Sequence, residues 1–233
     1  MNWCEITISD DQTHFLSQGI KIFDKQFIKV LKFHSPGLAP VIDVTGSYHI
    51  NADGNPVYNE RFTRTFGYYC NLAAVAHQDD WFHLNVFGEK AYSGSFAWVG
   101  NYQEDLCTVR DRQNVYFHIN KSGQRIYDET YTYCGDFKEG IACVRLSDQH
   151  YRHINSQGRF THDGVFLDLG VFHKGYATAK DNRGWHHIDK GGNELYPQRY
   201  KEVEPFYNGF ALVMRFDDQK LIIEETGMVV LNL

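Results

Sequence analysis

Long apolar runs, proline and methionine are scarce in this sequence. Its 233 residues include 5 Pro and 3 Met, and no stretch approaches the roughly 18 uninterrupted apolar residues of a membrane-spanning helix. The first residues also lack the basic and apolar segments of a secretory signal. We therefore expect a cytoplasmic protein that does not act at a membrane.

Cysteine pairs and catalytic motifs are missing as well. The cysteines are odd in number and show no Cys-x-x-Cys spacing, which argues against a disulfide framework or a zinc site. No nucleophile elbow, glycine-rich nucleotide loop or metalloprotease motif occurs. The sequence thus predicts a non-enzyme without a metal or another cofactor. The five cysteines are Cys4, Cys70, Cys107, Cys134 and Cys143.

Basic residues are too few for a nucleic-acid-binding protein. The chain has 23 Lys and Arg against 29 Asp and Glu, a net charge of −6, and binding to a phosphate backbone needs a basic surface. Aromatic residues, in contrast, are abundant, with 17 Phe, 15 Tyr and 4 Trp. Such side chains favour pleated sheets over helices.

A repeat of 34 or 35 residues runs through the whole chain. Six of the 12 histidines follow one another at this spacing, and each is followed by a glycine five residues later. Aromatic residues recur 9, 13 and 19 positions after the histidine, and the column at 13 positions has no exception. The histidine column comprises His14, His49, His83, His118, His153 and His187, and Ile222 occupies a seventh register.

Within one repeat the apolar pattern has a period of two, which is typical of strands. We name three segments on the fourth repeat: the histidine strand, residues 115–120, the return strand, 125–128, and the central strand of the next unit, 141–146. A glycine turn joins the first two, and a link of twelve residues leads to the third. The predicted unit is a three-stranded meander ordered central, histidine, return.

The predicted fold is an all-β tandem array of about seven such meanders in one domain, residues 1–233. The repeats start near residues 14, 49, 83, 118, 153 and 187, and a partial terminal unit covers 220–233. Strand twist prevents so many strands from forming one flat sheet. We favour an open superhelical ribbon, a solenoid, and keep a closed β-propeller-like ring as the alternative.

Several segments resemble bacterial WG-repeat proteins. The resemblance covers nearly the whole chain and is carried by Trp185–Tyr196 followed by Phe206–Val213, and by Phe137–Val144. The family's glycine after the aromatic residue is replaced here, for example by Phe82 and Arg152. The resemblance implies a β-repeat module used as a scaffold or binding surface, and it implies no catalytic residue.

The histidine column and the aromatic residues two positions before it form the candidate binding surface. Stacked imidazoles could bind a metal or sense pH. The structural interpretation, which we favour, is that each imidazole packs against an aromatic ring and bonds to the backbone of the adjacent link. The candidate residues are Trp81, Tyr116, Tyr151, Trp185, His83, His118, His153 and His187.

Two functions remain. The first is a non-catalytic repeat scaffold that binds a protein partner through a repetitive surface. The alternative is a module for a glycan or another small ligand, in which the four aromatic residues stack on the ligand. Polar residues two positions after the histidines would then flank the ligand; they are Asn85, Asn120, Asn155 and Asp189.

Overall fold

The computed structural model describes residues 2–233, which form seven antiparallel β-sheets. Six sheets contain three strands and the seventh contains four. These residues include no α-helix, and a short 3₁₀ helix, Trp3–Glu5, precedes the first strand. The prediction of an all-β array of about seven three-stranded units is confirmed.

The strands follow the chain order sheet by sheet. The first three sheets contain β1 (Ile6–Ile8), β2 (Phe15–Ser17) and β3 (Ile20–Ile22); β4 (Lys29–Val30), β5 (Leu38–Asp43) and β6 (Gly46–Asn51); and β7 (Arg64–Tyr69), β8 (Leu72–His77) and β9 (Asp80–Leu84). The next three contain β10 (Trp98–Val99), β11 (Leu106–Arg110) and β12 (Tyr116–Asn120); β13 (Tyr133–Cys134), β14 (Ile141–Arg145) and β15 (Tyr151–Asn155); and β16 (Asp168–Leu169), β17 (Tyr176–Asp181) and β18 (Gly184–Asp189). The last contains β19 (Glu202–Val203), β20 (Phe210–Met214), β21 (Lys220–Glu224) and β22 (Val229–Asn232).

The strand order in the second to sixth sheets differs from the predicted meander. Each of these sheets begins with a short strand from the link, continues with the central strand and ends with the histidine strand. In the fifth sheet, for example, Cys134 of the link strand pairs with Val144, and Ala142 of the central strand pairs with Ile154. The third strand of the unit is therefore the link strand and not the return strand.

The return segment still pairs with the histidine strand, but only through isolated bridges. In the fifth repeat these bridges join Ile154 to Phe160 and Tyr151 to Phe166. Between them the backbone leaves the ladder and places the ring of His162 next to His153. Within residues 2–233, a continuous return strand forms only as β3 and β22, in the two sheets that have no buried histidine. The residue whose side chain bonds to the histidine thus interrupts the return strand.

The core lies on both faces of the histidine strand. His153 and Ile154 are adjacent and point to opposite faces, and both are at most 1% exposed. The apolar residue after the histidine is buried in every repeat that follows the first. These residues are Ile50, Leu84, Ile119, Ile154, Ile188 and, in the last sheet, Ile223. A strand buried on both faces requires covering layers on both sides, as a stack of repeats provides.

The turn glycines connect successive repeats. Gly123 has a φ of +75°, and a Cβ added to it would lie 2.5 Å from the ring of Tyr92 in the preceding repeat. Gly158 meets Tyr127 in the same way, at 2.8 Å, and Gly227 meets Tyr196 at 2.6 Å. From the second repeat on, the glycine column therefore combines a left-handed backbone with a close approach to a neighbouring ring, and only glycine allows both.

Backbone contacts group the chain into two compact units. The first contains the residues up to Asn114 together with Ile119–Gln124, and the second contains Val115–His118 and Arg125–Leu233. One apolar cluster of the first unit is centred on Phe15 and Tyr48. The second unit has a cluster at Phe172 and Ile188 and another at Phe206 and Ile223. The single domain over 1–233 stays a prediction.

Candidate functional site

Five histidines of the column make the same set of contacts. Nδ1 of each faces the side chain nine residues later, and Nε2 faces the backbone carbonyl seventeen residues later at 2.8–2.9 Å. The aromatic ring nineteen residues later packs on the imidazole, with centroids 4.2–4.7 Å apart. These histidines are His49, His83, His118, His153 and His187, all at most 1% exposed. We call this arrangement the histidine clamp.

The partners of the clamp fix the tautomer of the imidazole. A backbone carbonyl can only accept, so Nε2 carries the hydrogen and donates it, for example from His118 to Gly135 O at 2.8 Å. Nδ1 of the neutral ring is then an acceptor, and the Tyr127 hydroxyl donates to it at 2.5 Å. Both ring nitrogens are satisfied, which a buried polar group requires.

Burial holds the clamp histidines in the neutral state. Loss of hydration lowers the pKa of His118 to about 4, and the hydrogen bond to the backbone carbonyl only partly opposes this shift. The same causes lower the pKa of His49, His83, His153 and His187 to about 4. At neutral pH these imidazoles carry no charge, and neither nitrogen is available to a substrate.

The fifth repeat uses a second histidine where the others use tyrosine. His153 donates from Nε2 to Gly170 O at 2.8 Å, so its Nδ1 accepts from Nε2 of His162 at 3.1 Å. Nδ1 of His162 in turn accepts from the backbone N–H of Gly164 at 3.1 Å. Both rings are satisfied as neutral imidazoles, and burial with the nearby Arg152 charge lowers the pKa of His162.

The first repeat departs from the column. His14 is only partly buried, and its side chain contacts Thr13 and Asp11. Phe15 is fully buried instead and packs against Phe23 and Phe33, with centroid distances of 5.9 and 4.9 Å. Phe15 therefore makes the ring contacts that the histidine makes in the later repeats, and the assignment of His14 to the column is wrong by one residue. A shift of one residue matters because the side chains of adjacent strand residues point to opposite faces.

The four candidate aromatic residues lie at the surface and are each half-buried. Trp81 stacks on Phe66 at a centroid distance of 5.6 Å, and Tyr116 meets Tyr133 at 6.0 Å. The other two rings lie beside cations. The Arg145 guanidinium is 5.7 Å from the ring centre of Tyr151, and the Lys180 ammonium is 5.6 Å from that of Trp185. The candidate set thus separates into four interior histidines and four surface rings.

Cross-strand pairing identifies residues beside the surface rings that the sequence analysis did not include among the candidate binding residues. Residues that pair across a sheet point to the same face, and three of the surface rings, Trp81, Tyr151 and Trp185, are each the last member of such a row. The three rows are Arg64–Ala76–Trp81, Tyr133–Arg145–Tyr151 and Asp168–Lys180–Trp185. The first members, Arg64, Tyr133 and Asp168, follow the histidines by fifteen residues, so the repeat period could have revealed them.

The polar residues two positions after the histidines are engaged in turns. The Asn120 carboxamide oxygen accepts from the backbone N–H groups of Ser122 and Gln124 at 3.0 and 3.1 Å. Asn85, Asn155 and Asp189 make the equivalent pair of bonds. These side chains therefore stabilise the glycine turns.

The cysteines and acidic residues form no metal-binding group. Over residues 2–233, no three His, Cys, Asp or Glu side chains come together as ligands of one ion. Cys107, Cys134 and Cys143 are buried, and burial raises the pKa of the Cys143 thiol to about 12. This is the environment of a small apolar side chain and not of a reactive thiol.

The sequence model of the WG containing repeat matches residues 119–148 and 188–215. These two segments are WG repeats. Each match begins one residue after a clamp histidine and extends past the following central strand, so the WG repeat and the histidine clamp have the same period. The recognition of WG repeats from sequence is confirmed at both places.

Solved structures share the fold at low sequence identity. The computationally designed protein Ika8 matches with a TM-score of 0.56 and 11% identity, over 98% of this chain and 83% of that one. Hsv2 of Kluyveromyces lactis, with loop 6CD replaced by a Gly-Ser linker, matches with a TM-score of 0.51 and 8% identity, over 89% and 80%. The neighbours are β-propeller and repeat folds. The comparison with curated proteins found no match.

Within residues 2–233, no helix has the length and the apolar character needed to cross a bilayer.

Proposed function

We propose that this chain, which carries WG repeats, is a non-catalytic scaffold that binds a protein partner through the surface rings of its two units, Trp81 in the first and Tyr116, Tyr151 and Trp185 in the second. We call this set the ring surface. The observation that carries the proposal is that the same position of successive sheets presents a half-exposed aromatic side chain held by a neighbour. Large aromatic side chains of this kind dominate the energetics of protein interfaces.

The packing around each ring supports this proposal. Phe66 under Trp81, and Arg145 and Lys180 beside the other rings, restrict the rotamers before a partner arrives. A side chain that is already ordered loses less entropy on binding. Within the second unit, Tyr116, Tyr151 and Trp185 recur once per repeat, which suits an extended partner chain.

The chemistry of the histidines supports a non-catalytic role. A general base needs a nitrogen within reach of a substrate, and the clamp uses both nitrogens of each ring inside the core. The column therefore stabilises the repeats, and binding is left to the surface rings.

The test is affinity capture from native cell lysate with the wild-type chain and ring-surface variants. Trp81→Ser and Trp185→Ser should each weaken the capture of one identified partner by about tenfold or more, since interface aromatic residues contribute about 2 kcal/mol or more. Phe87→Ser is the matched control, because Phe87 is 74% exposed in a turn outside the ring surface. Equal capture by all four proteins would contradict the proposal.

A glycan array with the same proteins tests the alternative function. The exposed ring faces keep a glycan as the second candidate, because sugars stack on aromatic residues. Glycan binding that is lost in Trp185→Ser, without capture of a protein, would replace the scaffold by a carbohydrate-binding module.

A further inference from the structure

A cavity of about 260 Å³ opens between the second and third sheets, within the first compact unit. Its apolar lining comes from Leu31, Pro40, Ile42 and Phe66. Pro40 is buried and the other three are half-buried. Phe66 stacks on Trp81 with an interplanar angle of 26°, so this part of the lining is held in place. The cavity is thus an apolar slot with an ordered wall.

The Thr65 hydroxyl and two backbone carbonyls in the lining of the slot already have hydrogen-bond partners. Thr65 Oγ1 bonds to Ser47 Oγ at 2.6 Å. The backbone carbonyls of Pro40 and Ile42 accept from Leu31 and Ile28 at 3.0 and 2.7 Å. What remains for a ligand is therefore apolar surface and the two exposed cations that also line the slot, Lys29 and Arg64.

These two cations have no acidic partner. No ion pair involves Lys29 or Arg64 anywhere in the part of the chain that the structure describes, residues 2–233. The protein as a whole carries a net charge of −6, whereas the surface beside this slot carries two positive charges without an acidic partner. An anionic group that enters here would meet two cations and no carboxylate from the lining.

The basic pair is restricted to this slot. Lys29 and Arg64 both lie in the column fifteen residues after the start of each repeat, and the later members of that column are Trp98, Tyr133, Asp168 and Glu202. A second cavity of about 300 Å³, at Trp185, is lined by Glu202 and Glu204. The column thus changes from basic to acidic along the chain, and within this column the two cations occur together at the slot of Lys29 and Arg64.

We infer that this slot binds an apolar carboxylate. The apolar body of the ligand lies against Leu31, Ile42 and Phe66, while its carboxylate bonds to the Arg64 guanidinium and the Lys29 ammonium. Arginine suits this task because its fork matches the two oxygens of a carboxylate. The ligand chemistry is that of a small free acid or of an apolar C-terminal residue of a peptide, and the inference is independent of the scaffold function.

Titration calorimetry with octanoate on the full chain tests the charge and the apolar contribution separately. Octanoate should bind in 1:1 stoichiometry, and 1-octanol, which has the same apolar body without the charge, should bind at least tenfold more weakly. Lys29→Met and Arg64→Met should each weaken octanoate by about tenfold, as expected for the loss of one charge-assisted hydrogen bond. Lys21→Met, at an exposed lysine of β3 outside the slot, should bind like the wild type.

A second arm distinguishes the two sources of the carboxylate. A short peptide with a C-terminal leucine is compared with the same peptide amidated at its C-terminus. Binding of the free peptide alone points to a chain terminus, and binding of octanoate alone points to a small acid. Octanoate affinity unchanged in Lys29→Met and Arg64→Met, octanol binding as tight as octanoate, or no binding of either carboxylate would overturn the inference.

Discussion

At the scale of single residues, the histidine clamp accounts for most of the repeat pattern. A neutral imidazole is a side chain with one donor and one acceptor on opposite sides of a flat ring. It can therefore join the return segment to the link strand while it fills a core position. In His118 these two bonds reach Tyr127 and Gly135, and the ring packs on Phe137.

Removal of the tyrosine hydroxyl should lower the stability of the protein, because it leaves the histidine clamp without one of its hydrogen bonds. In Tyr127→Phe, Nδ1 of His118 stays buried without a donor, and we expect a loss of about 1–3 kcal/mol in the free energy of unfolding. Urea denaturation measures it. Tyr133→Phe is the matched control, because Tyr133 is 44% exposed and should change stability by less than about 0.5 kcal/mol. Equal effects of the two substitutions would contradict the clamp.

The clamp also predicts how stability depends on pH. The five histidines have pKa values of about 4 in the folded chain, against about 6.5 in the unfolded chain. Between these values the unfolded chain binds more protons, so stability is complete above pH 6.5 and decreases as the pH falls towards 4. Each pH unit inside this window costs about 1.4 kcal/mol per histidine.

Denaturation at several pH values between 7.5 and 5.5 measures this dependence, and His118→Gln should lower the slope by the contribution of one histidine. Stability that is constant over the same range would contradict the assignment of neutral, buried rings.

The sequence predicted the structural role of the column but not its partners. Six copies of one histidine favoured a repeated structural contact to the link backbone, and His118 to Gly135 is such a contact. The second partner was missed, because a period identifies equivalent positions without showing which columns touch. The shift from His14 to Phe15 was missed because the first repeat still has a histidine at the expected spacing, so the sequence gives no sign that the neighbouring residue takes its place.

At the scale of strands and turns, the repeat is held together by the return segment and the glycine turn. The return segment leaves the ladder to bring Tyr127 or His162 to the histidine. The glycine of the next repeat then lies on the ring of that same residue, as Gly158 does on Tyr127. One side chain therefore connects the interior of its own repeat to the next repeat.

A pair of glycine substitutions separates this contact from backbone strain. Gly123 and Gly140 have φ values of +75° and +76°, but only the Cβ at Gly123 would meet a ring, that of Tyr92 at 2.5 Å. Both alanine variants pay the same conformational cost, and Gly123→Ala should lose about 1–3 kcal/mol more because of overpacking. Thermal or urea denaturation of the two variants gives the difference. Equal stability would show that the turn does not pack on the preceding repeat.

The strands were easier to predict than their pairing. The period of two located the central and histidine strands, such as β14 and β15, because alternation directly reflects the two faces of a sheet. The short link strand β13 was missed, since two residues carry no alternation. The return strand was predicted where only bridges occur, because a glycine turn after Asn120 has the sequence of a hairpin. The contact between the return segment and the clamp histidine joins residues nine positions apart, and the local sequence does not show it.

At the scale of the whole molecule, the chain folds into seven sheets, two of its segments match the WG containing repeat, and its fold is shared with β-propeller and repeat proteins. The open ribbon, which the sequence favoured over a closed ring, stays a prediction. In an open ribbon the first and last sheets lie far apart, whereas in a ring they meet. Energy transfer between dyes attached at Ile20 and Val230, both exposed, should therefore be low for the ribbon, and high transfer would establish the ring.

The central claim is that five equivalent histidines are neutral Nε2–H tautomers that join the segments of each repeat. Long-range ¹H–¹⁵N correlation of the imidazoles reads the tautomer and the charge of each ring directly. We expect five histidines with a protonated Nε2 and an unprotonated Nδ1 at pH 7, and the same tautomer and charge in the folded chain at pH 6. Rings in the Nδ1–H form, or protonation of these five between pH 7 and 6, would contradict it.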